Sequence, residues 1–191
     1  LIAVGRLANV EGLDLEKAGV KYSNKGVEID ATLRTSVKNI YACGDVAGPY
    51  QFSHMAEYQA VIAIGNALFP FKRKVDYSAV PWCTFTDPEV AHVGLYVKQA
   101  RERDMPVKTF TVPMHDVDRA IADSEEEGFV KIHVKEGTDR ILGATIVARH
   151  AGEMINEISL AIVLGIGLRA LTRVIHAYPT QAGAIKQAAD A

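Results

Sequence analysis

Alternating apolar and polar residues in the second half of the chain predict an antiparallel β-sheet. The alternation runs over residues 107–112 and 129–135, with the period of a strand that buries one face. A Gly-Thr-Asp turn at 137–139 then predicts a hairpin. Its partner strand is the apolar run at 141–148.

The strands come first and the helices last in this part of the chain. Residues 80–86 predict a strand at a sheet edge, because Pro81 cannot donate a hydrogen bond to a ladder. Later the hydrophobic period becomes helical and predicts helices over 152–164, 168–173 and 181–189. This order predicts an α+β domain with an antiparallel sheet covered on one side.

The first part of the chain places a carboxylate close to a helix start. Residues 40–43 are a short apolar run that predicts a buried strand, ended by Gly44-Asp45. A helix is predicted over 53–68, with Ser53 as its N-cap. Asp45 would then accept hydrogen bonds from ligand hydroxyls, and N–H groups at the helix start would donate to an electron-rich edge. The same order of elements also occurs in plain connections, so both interpretations stay open at this point.

Composition narrows the classes of function. The 191 residues carry a net charge of −2 and are 49% hydrophobic, which is ordinary for a globular protein. Without a basic field, nucleic acid is not an expected partner. No apolar run approaches the roughly 20 residues that span a bilayer, and no signal-peptide pattern occurs. We therefore expect a cytoplasmic protein that has neither a nucleic-acid nor a membrane partner.

The two cysteines do not suggest a metal centre or a redox pair. Cys43 and Cys83 lie far apart in the sequence, each in apolar surroundings. We therefore expect two buried free thiols in a reducing compartment and no metal site.

The string Ile-Tyr-Ala-Cys-Gly-Asp-Val at 40–46, followed by Ser53-His54-x-Ala, resembles the second flavin-binding segment of the pyridine nucleotide–disulfide oxidoreductases. The resemblance implies that Asp45 hydrogen-bonds the ribityl chain of FAD. It also implies that N–H groups near Ser53 and His54 face the pyrimidine edge of the flavin. Gly44 and Phe52 complete the expected cofactor-binding set.

The second part of the chain resembles the interface domain of the same family. The strings at 84–95, 141–144 and 152–157 carry this resemblance. It implies a homodimer formed through residues 76–191, although a helix at 152–164 buried only in its own domain is the alternative. Residues 1–75 would be the end of the NAD domain and the C-terminal segment of the FAD-binding domain. We accordingly expect the chain to be the C-terminal part of a longer protein.

Tyr178 stands where the disulfide reductases carry a catalytic histidine. Residues 176–183 read His-Ala-Tyr-Pro-Thr-Gln-Ala-Gly, whereas those enzymes have His-Pro-Thr and a Glu at the place of Gly183. That His–Glu pair moves protons to and from the dithiol across the dimer. A phenol with a pKa of about 10 is a poor base at neutral pH, and we expect no carboxylate to orient it. We expect Pro179 in the first turn of the next helix; Tyr178 as a plain surface aromatic is the alternative.

In having a tyrosine at this position, the chain resembles the mercuric reductases, in which that tyrosine lies near the metal-accepting thiols across the dimer interface. The resemblance thus implies a homodimeric oxidoreductase that uses FAD and NAD(P)H and acts on a sulfur-linked small-molecule substrate, with Tyr178 as the catalytic residue. A dihydrolipoamide dehydrogenase-type enzyme and a catalytically silent dimerisation module are the alternatives. Neither Gly-x-Gly-x-x-Gly nor Cys-x4-Cys occurs in the chain, so we expect the fragment alone to be inactive.

Overall fold

The computed structural model describes all 191 residues, and their contacts divide the chain into two units, Leu1–Tyr77 and Ser78–Ala191. The first unit contains β1 (Tyr22–Ser23) and β2 (Gly26–Val27), which pair as a short antiparallel hairpin. Its one long helix is α1 (Ser53–Leu68), whose two ends are those predicted from the sequence.

The predicted strand at 40–43 is wrong. Its backbone pairs on one side only: the Thr35 N–H donates to the Ile40 carbonyl at 2.9 Å, and Tyr41 forms an isolated bridge with Arg34. A strand needs a neighbour at successive positions, and no segment of the chain supplies one on the other side. The apolar side chains of this run are therefore half-buried.

The inner face of α1 mixes apolar side chains with two buried amides. Its buried residues are Met55, Gln59, Ile62, Ala63 and Asn66. Ile62 packs with Leu33 in a small core. The Asn66 amide donates to the carbonyls of Thr32 at 2.9 Å and Arg73 at 2.8 Å. The buried amide therefore ties the helix to segments that precede and follow it.

The second unit is a five-stranded antiparallel sheet, and its two longest helices pack on one face. Its strands are β3 (Trp82–Thr84), β4 (Glu89–Gly94), β5 (Val107–Pro113), β6 (Phe129–Lys135) and β7 (Ile141–Ala148). Its helices are α2 (Val97–Arg101), α3 (Asp118–Asp123), α4 (Ala151–Val163), α5 (Leu168–Leu171) and α6 (Gly183–Asp190). The strand order is β3-β4-β7-β6-β5, so β3 lies at the edge, as Pro81 predicted. The prediction of an α+β fold is confirmed.

One face of this sheet forms the core beneath α4 and α6. Val93, Ala144 and Ile132 lie in register across β4, β7 and β6, and all three are fully buried. Ile158 of α4 and Ile185 of α6 are fully buried in the same cluster. Each such aliphatic side chain contributes about 1.5–3 kcal/mol on leaving water. None of the six α-helices is long and apolar enough to cross a bilayer.

The opposite face of the sheet carries two buried histidines. His92, 2% exposed, shares a hydrogen bond of 2.9 Å with the Thr145 hydroxyl, and its ring stacks on Tyr96 at 3.7 Å between centroids. His133, 4% exposed, shares one of 2.9 Å with the Thr109 hydroxyl. Burial lowers the pKa of both imidazoles, and that of His133 falls to about 4 with a further contribution from the Lys131 charge. Both rings are therefore neutral in the folded protein at pH 7.

The low pKa of His133 predicts a loss of stability in mild acid. An unfolded histidine has a pKa of about 6.5, so between pH 6.5 and 4 the unfolded state binds more protons than the folded one. The free energy of unfolding should therefore fall as pH drops through that window, by on the order of 2 kcal/mol from this residue. Urea unfolding of wild type and His133→Asn at pH 7, 6, 5 and 4 measures it, and the variant should show the smaller fall. His115→Asn, at an exposed position, is the matched control; equal pH slopes for wild type and His133→Asn would contradict the prediction.

Candidate functional site

The Gly44-Asp45 turn lies directly against α1. Gly44 is buried with a φ of +76°, and a Cβ there would come within 3.1 Å of the Ala56 Cβ. A side chain at this position would therefore be both strained and crowded. The turn leaves the neighbouring Asp45 exposed in a 3-10 turn, Gly44–Val46.

Gln59 fixes this turn, and the sequence interpretation missed it. Its side chain is fully buried. Its carbonyl oxygen accepts from the Gly44 N–H at 2.7 Å, and its amide nitrogen donates to the Tyr77 hydroxyl at 2.9 Å and the Gly48 carbonyl at 3.3 Å. A pattern pointed to it: Gln59 falls four positions after Met55 on the apolar face of the helix.

The start of α1 presents an aromatic residue and two exposed polar residues. Phe52 takes the N-cap position with extended backbone, and no side chain caps the helix, so the prediction of Ser53 as N-cap is wrong. Ser53 is the first helical residue, one position later than the cap requires. The Phe52 ring stacks on that of His54 at 5.2 Å and 9° between planes. Ser53 and His54 are exposed on the first turn.

This part of the first unit can therefore hold a polar ligand. The exposed Asp45 carboxylate accepts hydrogen bonds, and the N-terminus of a 16-residue helix attracts an electron-rich group. The Gly44–Ala56 contact places the turn beside the first turns of that helix. The structure thus brings Gly44, Asp45 and the α1 start to one side of the unit.

Tyr178 lies in an exposed segment between α5 and α6. Its side chain is 81% exposed. The following helix begins at Gly183, so the prediction of Pro179 in the first helical turn is wrong. Residues 180–183 form a turn that leads into the helix, in which the Gly183 N–H donates to the Thr180 carbonyl at 3.1 Å.

The expectation that no carboxylate orients Tyr178 is also wrong. Its hydroxyl donates a hydrogen bond of 2.7 Å to Oδ2 of Asp118. This hydrogen bond and the Asp118 charge raise the pKa of the Tyr178 phenol. Asp118 begins α3, a helix the sequence did not predict. The partner lies 60 positions from Tyr178, and no spacing pattern connects residues at such a separation.

His176, two positions earlier, contacts a different element. Its Nε2 lies 2.9 Å from Oε1 of Glu157 on α4, and its Nδ1 lies 3.1 Å from the Val174 carbonyl. The His176 ring is thus directed to α4, and the Tyr178 hydroxyl to α3. The two side chains do not share a partner.

Both cysteines are free, as predicted, but half-buried and not buried. Burial and the nearby Glu89 carboxylate raise the pKa of the Cys83 thiol. No group of three or more His, Cys, Asp or Glu side chains has the arrangement of a metal site.

An apolar surface is shared by α4 and the segment after α5, which the contact between His176 and Glu157 joins. It is formed by exposed side chains at the end of α4 and in the segment after α5: Leu160, Val163, Leu164, Val174 and Ile175. Ile175 is 98% exposed. Several exposed apolar side chains on neighbouring stretches are typical of an interaction surface.

Comparison with known proteins identifies the family. The model of the pyridine nucleotide-disulphide oxidoreductase dimerisation domain matches residues 80–189, and that of pyridine nucleotide-disulphide oxidoreductases matches residues 1–60. Together the two matches extend over most of the chain.

Individual relatives include two kinds of enzyme. Dihydrolipoyl dehydrogenase from Chlamydia trachomatis is 43% identical over 183 residues, which are 95% of this chain and 39% of that protein. Mercuric reductase from Staphylococcus aureus is 42% identical over 190 residues, 99% of this chain and 35% of that protein. The crystal structure of LpdA from Mycobacterium tuberculosis matches with a TM-score of 0.92 at 30% identity, over 100% of this chain and 42% of that one. The chain thus spans about two fifths of the length of its relatives, and it belongs to the pyridine nucleotide-disulphide oxidoreductase family.

Proposed function

We propose that the chain works as part of a homodimeric flavoprotein that uses FAD and NAD(P)H to reduce a sulfur-linked substrate, with thiol-bound Hg(II) as the substrate class. The observation that carries the proposal is the Tyr178 hydroxyl, which donates to Asp118 at 2.7 Å at the position of the family's catalytic histidine. Tyr178 is the catalytic residue of this proposal.

The cofactor-binding set is Gly44, Asp45, Phe52, Ser53 and His54. FAD, when bound, carries electrons between the pyridine nucleotide and the substrate sulfur. The exposed Asp45 carboxylate accepts hydrogen bonds from ribityl hydroxyls, and the first-turn amides of α1 donate to the electron-rich flavin edge. The positive φ of Gly44 and its close approach to Ala56 disfavour a side chain at this position, and the turn lies against the helix. The residues present therefore fit this part of the cofactor.

Tyr178 favours a reaction that does not depend on a neutral-pH base. A phenol with a raised pKa stays protonated at pH 7 and cannot take up a proton from a thiol. Reduction of a thiolate-bound Hg(II) needs soft sulfur ligands and an electron supply, and it has less need of a base because the thiolates carry no proton to remove. An exposed phenol can lie against such an ion or its thiolate ligand.

Dihydrolipoamide oxidation is the second candidate. It is favoured by the relatives, most of which are dihydrolipoyl dehydrogenases. On this reading Tyr178 would have to replace an imidazole that cycles protons. Turnover with dihydrolipoamide and with thiol-bound Hg(II), measured side by side on the complete FAD-loaded protein, distinguishes the two.

The domain assignment belongs to the same proposal. Residues 1–75 supply the end of the NAD domain and the C-terminal segment of the FAD-binding domain, and residues 76–191 form the interface domain. The family matches at 1–60 and 80–189 support this division. The catalytically silent alternative applies to the isolated chain, which would then act through its second unit alone.

Limited trypsin digestion of the 191-residue chain tests the boundary. Lys72, Arg73 and Lys74 are exposed, so the first cut should fall there and leave a product that begins just before residue 78. Mass spectrometry identifies the product. A Lys135→Gln variant, which removes a trypsin site in the sheet of the second unit, is the control and should give the same first product. First cleavage within 80–189 would contradict the division.

We predict that the chain forms a dimer through its apolar surface, which consists of Leu160, Val163, Leu164, Val174 and Ile175. Leu160→Glu with Ile175→Glu should weaken the dimer by about a hundredfold or more, because each burial of an unpaired charge costs several kcal/mol. Light scattering over a concentration series measures the dissociation. Val61→Glu, at an exposed apolar position of the first unit, is the control. A wild-type chain that stays monomeric at high micromolar concentration would refute dimerisation of the chain.

The role of Tyr178 predicts a loss of activity on removal of its hydroxyl. In the complete protein, Tyr178→Phe should lower Hg(II)-dependent NAD(P)H oxidation by about tenfold, the effect of losing one polar contact worth about 1.4 kcal/mol. Steady-state kinetics measure kcat/KM. Tyr22→Phe is a matched control, because the Tyr22 phenol also donates to a carboxylate, that of Glu16. Unchanged Hg(II)-dependent activity of Tyr178→Phe, or strong turnover of dihydrolipoamide by the wild type, would contradict the proposal that thiol-bound Hg(II) is the substrate.

A further inference from the structure

The segment that carries Tyr178 is held by side chains and not by its own backbone. Between Val174 and Gly183 no backbone N–H donates to another backbone carbonyl. Three side chains of this segment instead contact carboxylates elsewhere in the second unit. The pairs are His176 with Glu157 at 2.9 Å, Tyr178 with Asp118 at 2.7 Å, and Gln181 with Glu125 at 2.8 Å.

Asp118 is well placed to fix its part of the segment. It is the first residue of α3, and Val117 and Ala120 on either side of it are buried in the core. The neighbouring Arg119 pairs with Asp123 at 2.6 Å, on the same helix. Asp118 itself forms no ion pair. Its carboxylate is therefore available to the Tyr178 hydroxyl without a competing cation.

We propose that Asp118 is the positioning residue for Tyr178, and that the pair presents the phenol to the substrate as a hydrogen-bond acceptor. A phenol has one proton, and here that proton is directed to Asp118 Oδ2. What Tyr178 offers on its exposed side is an oxygen lone pair and a ring face. This inference rests on the proposed function of Tyr178 and narrows it. The ligand must bring its own donor, such as a thiol S–H, or a positive centre, such as a thiol-bound soft metal ion.

The charge of Asp118 supports the same pairing. It raises the pKa of Tyr178 and keeps the proton between the two oxygens. Asp118 is the charged group that acts on this phenol; His176 is directed to Glu157 on α4. A carboxylate that only stabilised the start of α3 would leave the Tyr178 titration unchanged.

The direct test is a titration of Tyr178 in the 191-residue chain by NMR of tyrosine labelled with ¹³C at Cζ. Loss of one signal in Tyr178→Phe assigns the resonance. The wild-type signal should titrate above the ordinary value of about 10, and in Asp118→Asn its midpoint should move down towards that value. Asp116→Asn, a neighbouring exposed carboxylate without contact to Tyr178, should leave it in place. Identical midpoints in wild type and Asp118→Asn would overturn the pairing.

A double-mutant cycle in the complete protein separates the pairing from the proposed function. If Asp118 acts through Tyr178, then Asp118→Ala, which removes the acceptor, should lower kcat/KM for thiol-bound Hg(II), and should add nothing further in the Tyr178→Phe background. Additive losses would overturn the positioning role. A shifted titration combined with full activity of Tyr178→Phe would keep the pairing and refute the proposed function of Tyr178.

Discussion

The burial of one sheet face beneath α4 and α6 determines the arrangement of the second unit. Ile158 and Ile185 turn inwards to this core, so the opposite side of α4 keeps Leu160 and Val163 exposed. The chain between α5 and α6 then has no sheet or helix to join. It crosses the surface as an exposed segment, and polar side chains hold it where backbone hydrogen bonds do not.

The first unit depends on a different constraint, the buried amide of Gln59. Without its carbonyl oxygen the Gly44 N–H would lose its acceptor in a buried turn, at a cost of about 1–3 kcal/mol. The same side chain reaches Tyr77 and Gly48. One amide therefore fixes the turn that exposes Asp45 and links it to the end of the unit. Where the apolar core is small, as it is around Leu33 and Ile62, a satisfied polar network of this kind specifies the geometry.

Features set by neighbouring residues could be predicted from the sequence, and features set by distant ones could not. The ends of α1 and α4 follow from a helical period with local breakers, and Pro81 by itself places β3 at the sheet edge. The apolar run at 40–43 indicated a tendency to be buried, but it carried no information on a pairing partner. The Tyr178–Asp118 contact joins residues 60 positions apart. Asp118 belongs to α3, a helix too short for its hydrophobic periodicity to predict it. The role of Gln59 could have been predicted, because a polar residue on the apolar face of a helix needs hydrogen-bond partners in the core.

The exchange of histidine for tyrosine changes what the site can offer a ligand. A neutral imidazole has an N–H on one side and a lone pair on the other, so a carboxylate on one nitrogen leaves the second free to move protons. A phenol has a single oxygen, and once its proton is committed to Asp118 only acceptor lone pairs remain. In the family's pair the Glu follows the His by five positions, but here the carboxylate comes from α3 and Gly183 has no side chain. On the proposed role of Tyr178, Asp118 would take the place of that acidic partner, and recognition of a donor or a cation would replace proton transfer.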